Sequence, residues 1–205
     1  MKILVVGEPS VGKTSLVQRY CRGSFSTEYK STIGVDFSIK RIEWNSNTNL
    51  NLTLWDLAGQ SRLNTQIKAY YRKTDGVVCV CDISRPETIN DILNWRNLIF
   101  ENCVTETGVQ VFPPIILLVN KIDLIIDEET LQTKMLDFIS GAESIGVISC
   151  IPISVKNNIG IDDSIKTLIY EILKRRNSDG ELIPAKEEPG TIHLNAKQSK
   201  NKTCC

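Results

Sequence analysis

The run Gly7-Glu8-Pro9-Ser10-Val11-Gly12-Lys13-Thr14, with Ser15 next in line, has the spacing G-x-x-x-x-G-K-[ST]. The chemistry of that spacing is phosphate binding. Glycine at position 12 lets the backbone curl so that successive N–H groups point inward at phosphate oxygens. The start of a helix adds the positive end of its dipole. The Lys13 ammonium is a point charge for the outer phosphates, and the Thr14 hydroxyl suits Mg2+. Asp56 offers a carboxylate to the same ion, directly or through water. Gly59 can bring its backbone N–H to a terminal phosphate with no Cβ in the way, and Gln60 can orient an attacking water. Read alone, Asp-x-x-Gly is an ordinary turn; beside a phosphate loop it completes a hydrolytic site.

A further set reads as base recognition. In Asn120-Lys121-Ile122-Asp123 the Asp123 carboxylate can accept two hydrogen bonds, from guanine's N1–H and 2-amino group. Adenine has no such pair, and the mispaired buried charge that results would reject it. Asn120 can bond the base and brace the loops around it, while the Lys121 stem covers one ring face. The backbone of Ser154-Val155-Lys156 can cap the base's carbonyl oxygen. In the polar stretch 22–34, Thr32 can bring a second hydroxyl to Mg2+ and Phe25 can pack edge-on against a purine. Outside this company either would be an ordinary loop residue.

These groups can meet only at matching ends of neighbouring elements, and the hydropathy pattern puts them there. Residues 2–6 form a short apolar run that reads as a buried strand, and Leu16, Val17, Tyr20 and Cys21 follow at helical spacing. In 35–44, Val35, Phe37 and Ile39 alternate with Asp36, Ser38 and Lys40. The alternation then shifts to Ile42 and Trp44, which predicts a bulge. A turn at 45–49 leads to Leu50, Leu52 and Leu54, alternating again, so the two strands form an antiparallel hairpin. Residues 61–75 are polar and read as partly helical. Continuous apolar runs at 76–82 and 115–120 suit strands covered on both faces, and 147–154 reads as the last strand. The helix after Pro86 presents Ile89, Ile92, Leu93, Ile99 and Phe100; the next presents Leu131, Met135, Phe138, Ile139 and Ala142. The last presents Ile161, Ile165, Leu168, Ile169, Ile172 and Leu173. Strands alternating with helices predict an α/β fold: a mostly parallel six-stranded sheet, helices on both faces, and one antiparallel edge strand. In such sheets ligands sit at the carboxyl ends of strands. The phosphate loop, Asp56, Asn120 and Ser154 all fall at such ends and are expected to form one site.

The bulk properties bound the rest. With 205 residues, the chain reads as one domain over 1–176 and a tail over 177–205 rich in Asn, Ser, Gly, Pro, Glu and Lys. Lys+Arg number 24 and Asp+Glu 24, so net charge gives no argument for nucleic acid. The cysteines at 21, 79, 81, 103, 150, 204 and 205 are odd in number and lack zinc-ligand spacing, so they read as reduced thiols. No signal peptide is expected, Lys2 excludes N-myristoylation, and no apolar run reaches the ~20 residues of a membrane span. The folded part is expected to be soluble and intracellular.

Taken together, the residues resemble the Ras-like small GTPases. Gly7 to Thr14, Thr32, Asp56 to Gln60, Asn120 to Asp123 and Ser154 to Lys156 match that family's nucleotide-binding motifs in order. Ile33-Gly34-Val35-Asp36-Phe37, Leu54-Trp55-Asp56-Leu57-Ala58-Gly59-Gln60 and Ala69-Tyr70-Tyr71-Arg72 look like the Rab branch, as does the closing Cys204-Cys205 pair. Glu43-Trp44-Asn45, Asp82-Ile83-Ser84-Arg85-Pro86 and the long connection at 102–113 resemble the Rab subgroup of lysosome-related and phagosomal organelles. The departures are Pro9, where Ser or Gly is usual, Ser61 for Glu, Leu63 for an aromatic, and Val155 for Ala. Ser61 and Leu63 bear on partner recognition. Pro9, without an N–H and with φ fixed, is expected near Gln60 and the terminal phosphate, and Val155 is expected to crowd the base.

The resemblance implies a P-loop switch that binds GTP or GDP with Mg2+ on Thr14, Thr32 and Asp56. In the GTP state Thr32 and the Gly59 N–H order segments 25–37 and 58–71, which relax after hydrolysis. Phe37, Trp55 and Tyr70 match the aromatic triad through which Rabs meet effectors; core packing is the plainer reading of Trp55. Hydrolysis through Gln60 would be slow, on the order of 10⁻⁴ per second unaided. Other implied partners are an exchange factor, a GTPase-activating protein, a prenylation escort and a GDP-dissociation inhibitor, acting on a monomer. Prenyl chains on Cys204 and Cys205, helped by Lys197, Lys200 and Lys202, would anchor the chain stably to the cytoplasmic face of endomembranes, with a cytosolic pool. One alternative is a GTP-binding membrane recruiter with negligible hydrolysis, its site disabled by Pro9 and Ser61. The other, a small-molecule P-loop kinase, is opposed by Asn120-Lys121-Ile122-Asp123.

Overall fold

The structure is a computed structural model, and its described residues are 1–28, 30–59, 68–105 and 108–178. The expectations placed on Gln60, Ser61 and Leu63, and on Lys197, Lys200, Lys202, Cys204 and Cys205, lie outside them.

Strands β1 (Lys2–Val6), β4 (Gly76–Asp82) and β5 (Ile115–Asn120) make the centre of one sheet, and every residue of β4 and β5 is buried. A strand covered on both faces needs no polar alternation, which is why these runs are apolar throughout. With β2 (Val35–Asn45), β3 (Thr48–Leu57) and β6 (Ser149–Pro152), the order is β2-β3-β1-β4-β5-β6. Every pairing is parallel except β2 with β3. On one face, Leu16, Val17 and Tyr20 of α1 (Lys13–Arg22) meet Ile165, Leu168 and Ile172 of α5 (Ile161–Ser178) over Val5, Leu54, Val78 and Leu118. On the other, after α2 (Lys68–Tyr71), α3 (Asn90–Asn102) and α4 (Glu128–Ser144) set Ile92, Trp95, Met135 and Phe138 over Leu4, Cys79 and Leu117. This is the expected α/β architecture, with its antiparallel edge.

Three local expectations are corrected. The first is the bulge inferred from the shift between Ile39 and Ile42. Pairing between β2 and β3 is unbroken from Val35↔Leu57 to Glu43↔Asn49, and the register shifts only between Glu43 and Asn45. The strand keeps one phase. Ser38, Lys40, Ile42 and Trp44 turn inward, while Phe37 and Ile39 turn outward and are 58% and 65% exposed. The second is the inner face of α3. Trp95 is fully buried there, whereas Leu93, expected inside, is 48% exposed. Ile92, Trp95 and Ile99 make the inner stripe. The third is the last strand, which stops at Pro152. Ser154 and Ile159 exchange backbone hydrogen bonds and turn the chain toward α5.

Cys79, Cys81 and Cys103 are buried, Cys21 and Cys150 are half-buried, and all are free thiols. Among the described residues no helix is long and apolar enough to cross a membrane. Helix α5 extends to Ser178, two residues into the stretch read as tail.

Candidate functional site

The loop after β1 hands directly into α1. Gly12 has φ 103, a left-handed value, and a Cβ there would meet Asn120 Nδ2 at 2.4 Å. Glycine thus serves the backbone turn and the close approach together. Lys13 is almost fully buried, and its ammonium donates to the Gly7 and Glu8 carbonyls at 2.9 and 2.8 Å. Burial lowers its pKa from 10.5 to about 8, against the pull of Asp56 and Glu8.

The residues assigned to a cation converge. Thr14 Oγ1 lies 2.7 Å from Thr32 Oγ1 and donates to Asp56 Oδ2 at 2.5 Å. Thr32 Oγ1 is 3.5 Å from the same oxygen. Asp56 is 1% exposed, and its Oδ1 is buried without a hydrogen-bond partner. Burial raises its pKa, opposed by the hydrogen bond from Thr14 and the charge of Lys13. Two hydroxyls and an orphaned carboxylate oxygen are hard ligands, and they fit Mg2+.

The base-reading residues are braced rather than loose. Asn120 Nδ2 donates to the Val11 carbonyl at 2.8 Å, and its Oδ1 accepts from the Val155 N–H at 3.0 Å. One amide thus ties the phosphate loop to the turn after β6. The buried Ser154 hydroxyl donates to Asp123 Oδ1 at 2.6 Å and accepts from the Asn157 N–H at 3.1 Å. The Ser154 N–H itself bonds Ile159. Two of the backbone N–H groups read as a cap for the base carbonyl are therefore already engaged inside the protein. What Ser154 contributes is the orientation of Asp123. The side chain of Val155 is 1% exposed and belongs to the core beneath the site.

These segments open onto one cleft of about 880 Å3, a ligand-sized space. Pro9, Ser10, Gly12, Lys13, Thr14 and Ser15 line it from the phosphate loop. Phe25, Thr32 and Gly59 close one side; Asn120, Lys121, Asp123, Val155 and Lys156 form the other. Gly7, Glu8, Val11, Asp56 and Ser154 stand behind this lining. Gly59 rests on the phosphate loop so closely that a Cβ there would be 2.5 Å from the Pro9 nitrogen. Two supports were not foreseen. Arg19 donates from Nε to the Val155 carbonyl at 3.1 Å and from Nη2 to the Lys156 carbonyl at 3.0 Å, with Phe25 5.3 Å from its guanidinium. Asp82 and Arg85 form the other. A helix-borne arginine was the available signal, but its acceptors lie 136 residues or more away in sequence.

Phe37 stacks on Trp55 with centroids 5.8 Å apart, and Trp55 meets Tyr70, which also lines the cleft, at 5.9 Å. Trp55 and Tyr70 also pack against the core, which is the plainer reading of Trp55.

The Ras family model matches residues 2–174. The chain is 36% identical to "Ras-related protein Rab-32B" of Dictyostelium discoideum, over 100% of this chain and 76% of that one. It is 36% identical to "Ras-related protein Rab-32" of Sus scrofa, over 100% and 87%. Identity to "Ras-related protein Rab-7L1" of Mus musculus is 35%, over 100% and 96%.

Proposed function

The chain belongs to the Ras family, in its Rab branch, and from that premise we propose that it is a prenylated switch of organelle traffic whose GTP state is set by Thr32. Rab proteins bind guanine nucleotides, hydrolyse GTP and act in membrane traffic on the cytosolic face of endomembranes, and so does this chain.

The carrying observation is the meeting of Thr14, Thr32 and Asp56. Thr32 comes from the loop between α1 and β2, and its hydroxyl reaches the corner where the phosphate loop and the end of β3 already meet. Mg2+, when bound, would neutralise phosphate charge there. Thr14 and Asp56 orient toward it, Lys13 faces the outer phosphates, and Asp123, held by Ser154, reads the guanine edge. Loss of the terminal phosphate would remove the reason for Thr32 and Gly59 to stay. Segments 25–37 and 58–71 would then relax. Gln60 is the water-positioning residue in this reading. The exposed Phe37, with the half-buried Trp55 and Tyr70 beside it, is the effector surface, and Cys204 and Cys205 carry the lipid. The organelle is lysosome-related or phagosomal, the subgroup that Glu43-Trp44-Asn45, Asp82-Ile83-Ser84-Arg85-Pro86 and the connection at 102–113 resemble.

The test is single-turnover GTP hydrolysis with and without a Rab-type activating domain, together with imaging of the tagged chain beside a version lacking Cys204-Cys205. Stimulated phosphate release and loss of membrane staining on deletion are expected. Absence of stimulation would leave the recruiter with negligible hydrolysis, its site disabled by Pro9 and Ser61. Equal cytosolic staining of both versions would remove the membrane part.

A further inference from the structure

We propose that Arg85 is a positioning residue for the phosphate loop, held in place by the buried carboxylate of Asp82. The inference rests on the nucleotide-binding reading above and adds a residue to it. Asp82 ends β4 and is 1% exposed. Its Oδ1 accepts from the Ser84 N–H at 3.0 Å and the Ser84 hydroxyl at 2.6 Å. Its Oδ2 accepts from Lys121 Nζ at 2.6 Å and Arg85 Nε at 3.2 Å. One buried anion therefore holds two cations, and each serves a different wall of the cleft. Lys121 belongs to the base-reading turn. Arg85 reaches across to the phosphate loop, where its Nη2 donates to the Pro9 carbonyl at 2.9 Å.

The turn that carries this bridge is itself fixed. The Arg85 N–H bonds the Asp82 carbonyl at 2.9 Å. The Thr88 hydroxyl accepts from the Asp82 N–H at 3.2 Å and donates to the Arg85 carbonyl at 2.7 Å. Proline has no N–H, so the carbonyl is Pro9's one polar backbone group. Its direction is set from outside the loop. Pro9 is also the residue on which Gly59 rests, so the position that Arg85 holds bears on both the phosphate loop and the switch segment. A guanidinium can present Nε to a carboxylate and Nη2 to a carbonyl at once, in one plane; an ammonium cannot. Burial alone would raise the pKa of Asp82, but the hydrogen bonds from Lys121 and Ser84 outweigh it and hold the value below the ordinary one. The anchor is charged at every working pH.

The test uses Arg85→Lys and Arg85→Gln in the full chain. The readouts are the release rate of a fluorescent GDP analogue, the phosphorus NMR resonances of bound GDP, and thermal melting. Arg85 is partly exposed, so both variants are expected to fold. Each should release the analogue about tenfold faster than wild type and displace the β-phosphate resonance, with little difference between them. Wild-type release rates and resonances in both variants would overturn the proposal. So would full rescue by lysine, because charge alone would then suffice, and so would a lower melting temperature with an unmoved resonance. Failure of the wild-type chain to bind GDP at all would instead sink the nucleotide reading, and this inference with it.

Discussion

Substituting Gly59 with alanine would test how the switch segment meets the phosphate loop. The added methyl would lie 2.5 Å from the Pro9 nitrogen, 2.7 Å from Pro9 Cδ and 2.8 Å from the Glu8 carbonyl carbon. None of these is the end of a flexible side chain. Relief to the 3.0 Å limit of real Cβ contacts needs a separation of about 0.5 Å, and ordinary contact at 3.4 Å needs about 0.9 Å. Pro9 cannot yield easily, since its φ is fixed and Arg85 holds its carbonyl. The segment bearing Gly59 must move instead, away from the terminal phosphate. Misplacement approaching 1 Å in a reacting arrangement costs up to about 100-fold in rate. GDP affinity should change by less than about threefold, because Lys13, Asn120 and Asp123 are untouched. Single-turnover hydrolysis of GTP, paired with calorimetry for GDP, measures both quantities. A hydrolysis rate within about threefold of wild type would refute the claim that this contact positions the reaction.

Two further outcomes are expected. Ser154→Ala deletes a buried hydroxyl that orients Asp123, leaving a carboxylate oxygen and the Asn157 N–H without it. A hydrogen bond to a charged group is worth about 1.5–3 kcal/mol, so GDP should bind about 10–100-fold more weakly by calorimetry, with less preference over ADP. Burial pushes the Cys79 thiol up to about 12, Cys103 to about 11, and Cys81 well above its ordinary value. The thiolate is the reactive form, so a disulfide reagent at pH 8 should leave these three untouched until urea unfolds the chain; their prompt reaction in the folded protein would contradict the packing described.

What was legible in the sequence was what local pattern can encode. The runs at 76–82 and 115–120 became β4 and β5 because a strand buried on both faces has no polar alternation to confuse it. The phosphate loop, Asp56 and Asn120 were placed on one site because strand ends in such sheets share an edge. Partners set by tertiary distance were not legible. Nothing near Arg19 in sequence announces the carbonyls of Val155 and Lys156. Asp82-Ile83-Ser84-Arg85 reads as a turn, and its purpose appears only when Pro9 and Lys121 are brought to it. Trp95 was missed because the neighbouring Leu93 suited the same helical stripe equally well by type, and only the packing of α3 on the sheet decides between them.

The misreading of β2 says the most about function. The alternation sets Val35, Phe37 and Ile39 in one phase, and a bulge is needed to bring Ile42 and Trp44 into it. The regular strand instead turns Phe37 and Ile39 to the outside. An exposed apolar face on that strand is what the proposed effector surface requires. Its position explains how such a surface could sense the nucleotide without a long pathway. Phe37 pairs with Trp55 across the hairpin, and Trp55 is the neighbour of Asp56. The Ala58 N–H bonds the Gly34 carbonyl at 3.0 Å, two residues from Thr32. The cation corner and the aromatic surface thus adjoin at Asp56 and Trp55, consecutive residues of β3. Any displacement of Thr32 or Gly59 would be felt at Phe37 and Trp55 directly, through backbone pairing rather than through a chain of side chains across the core.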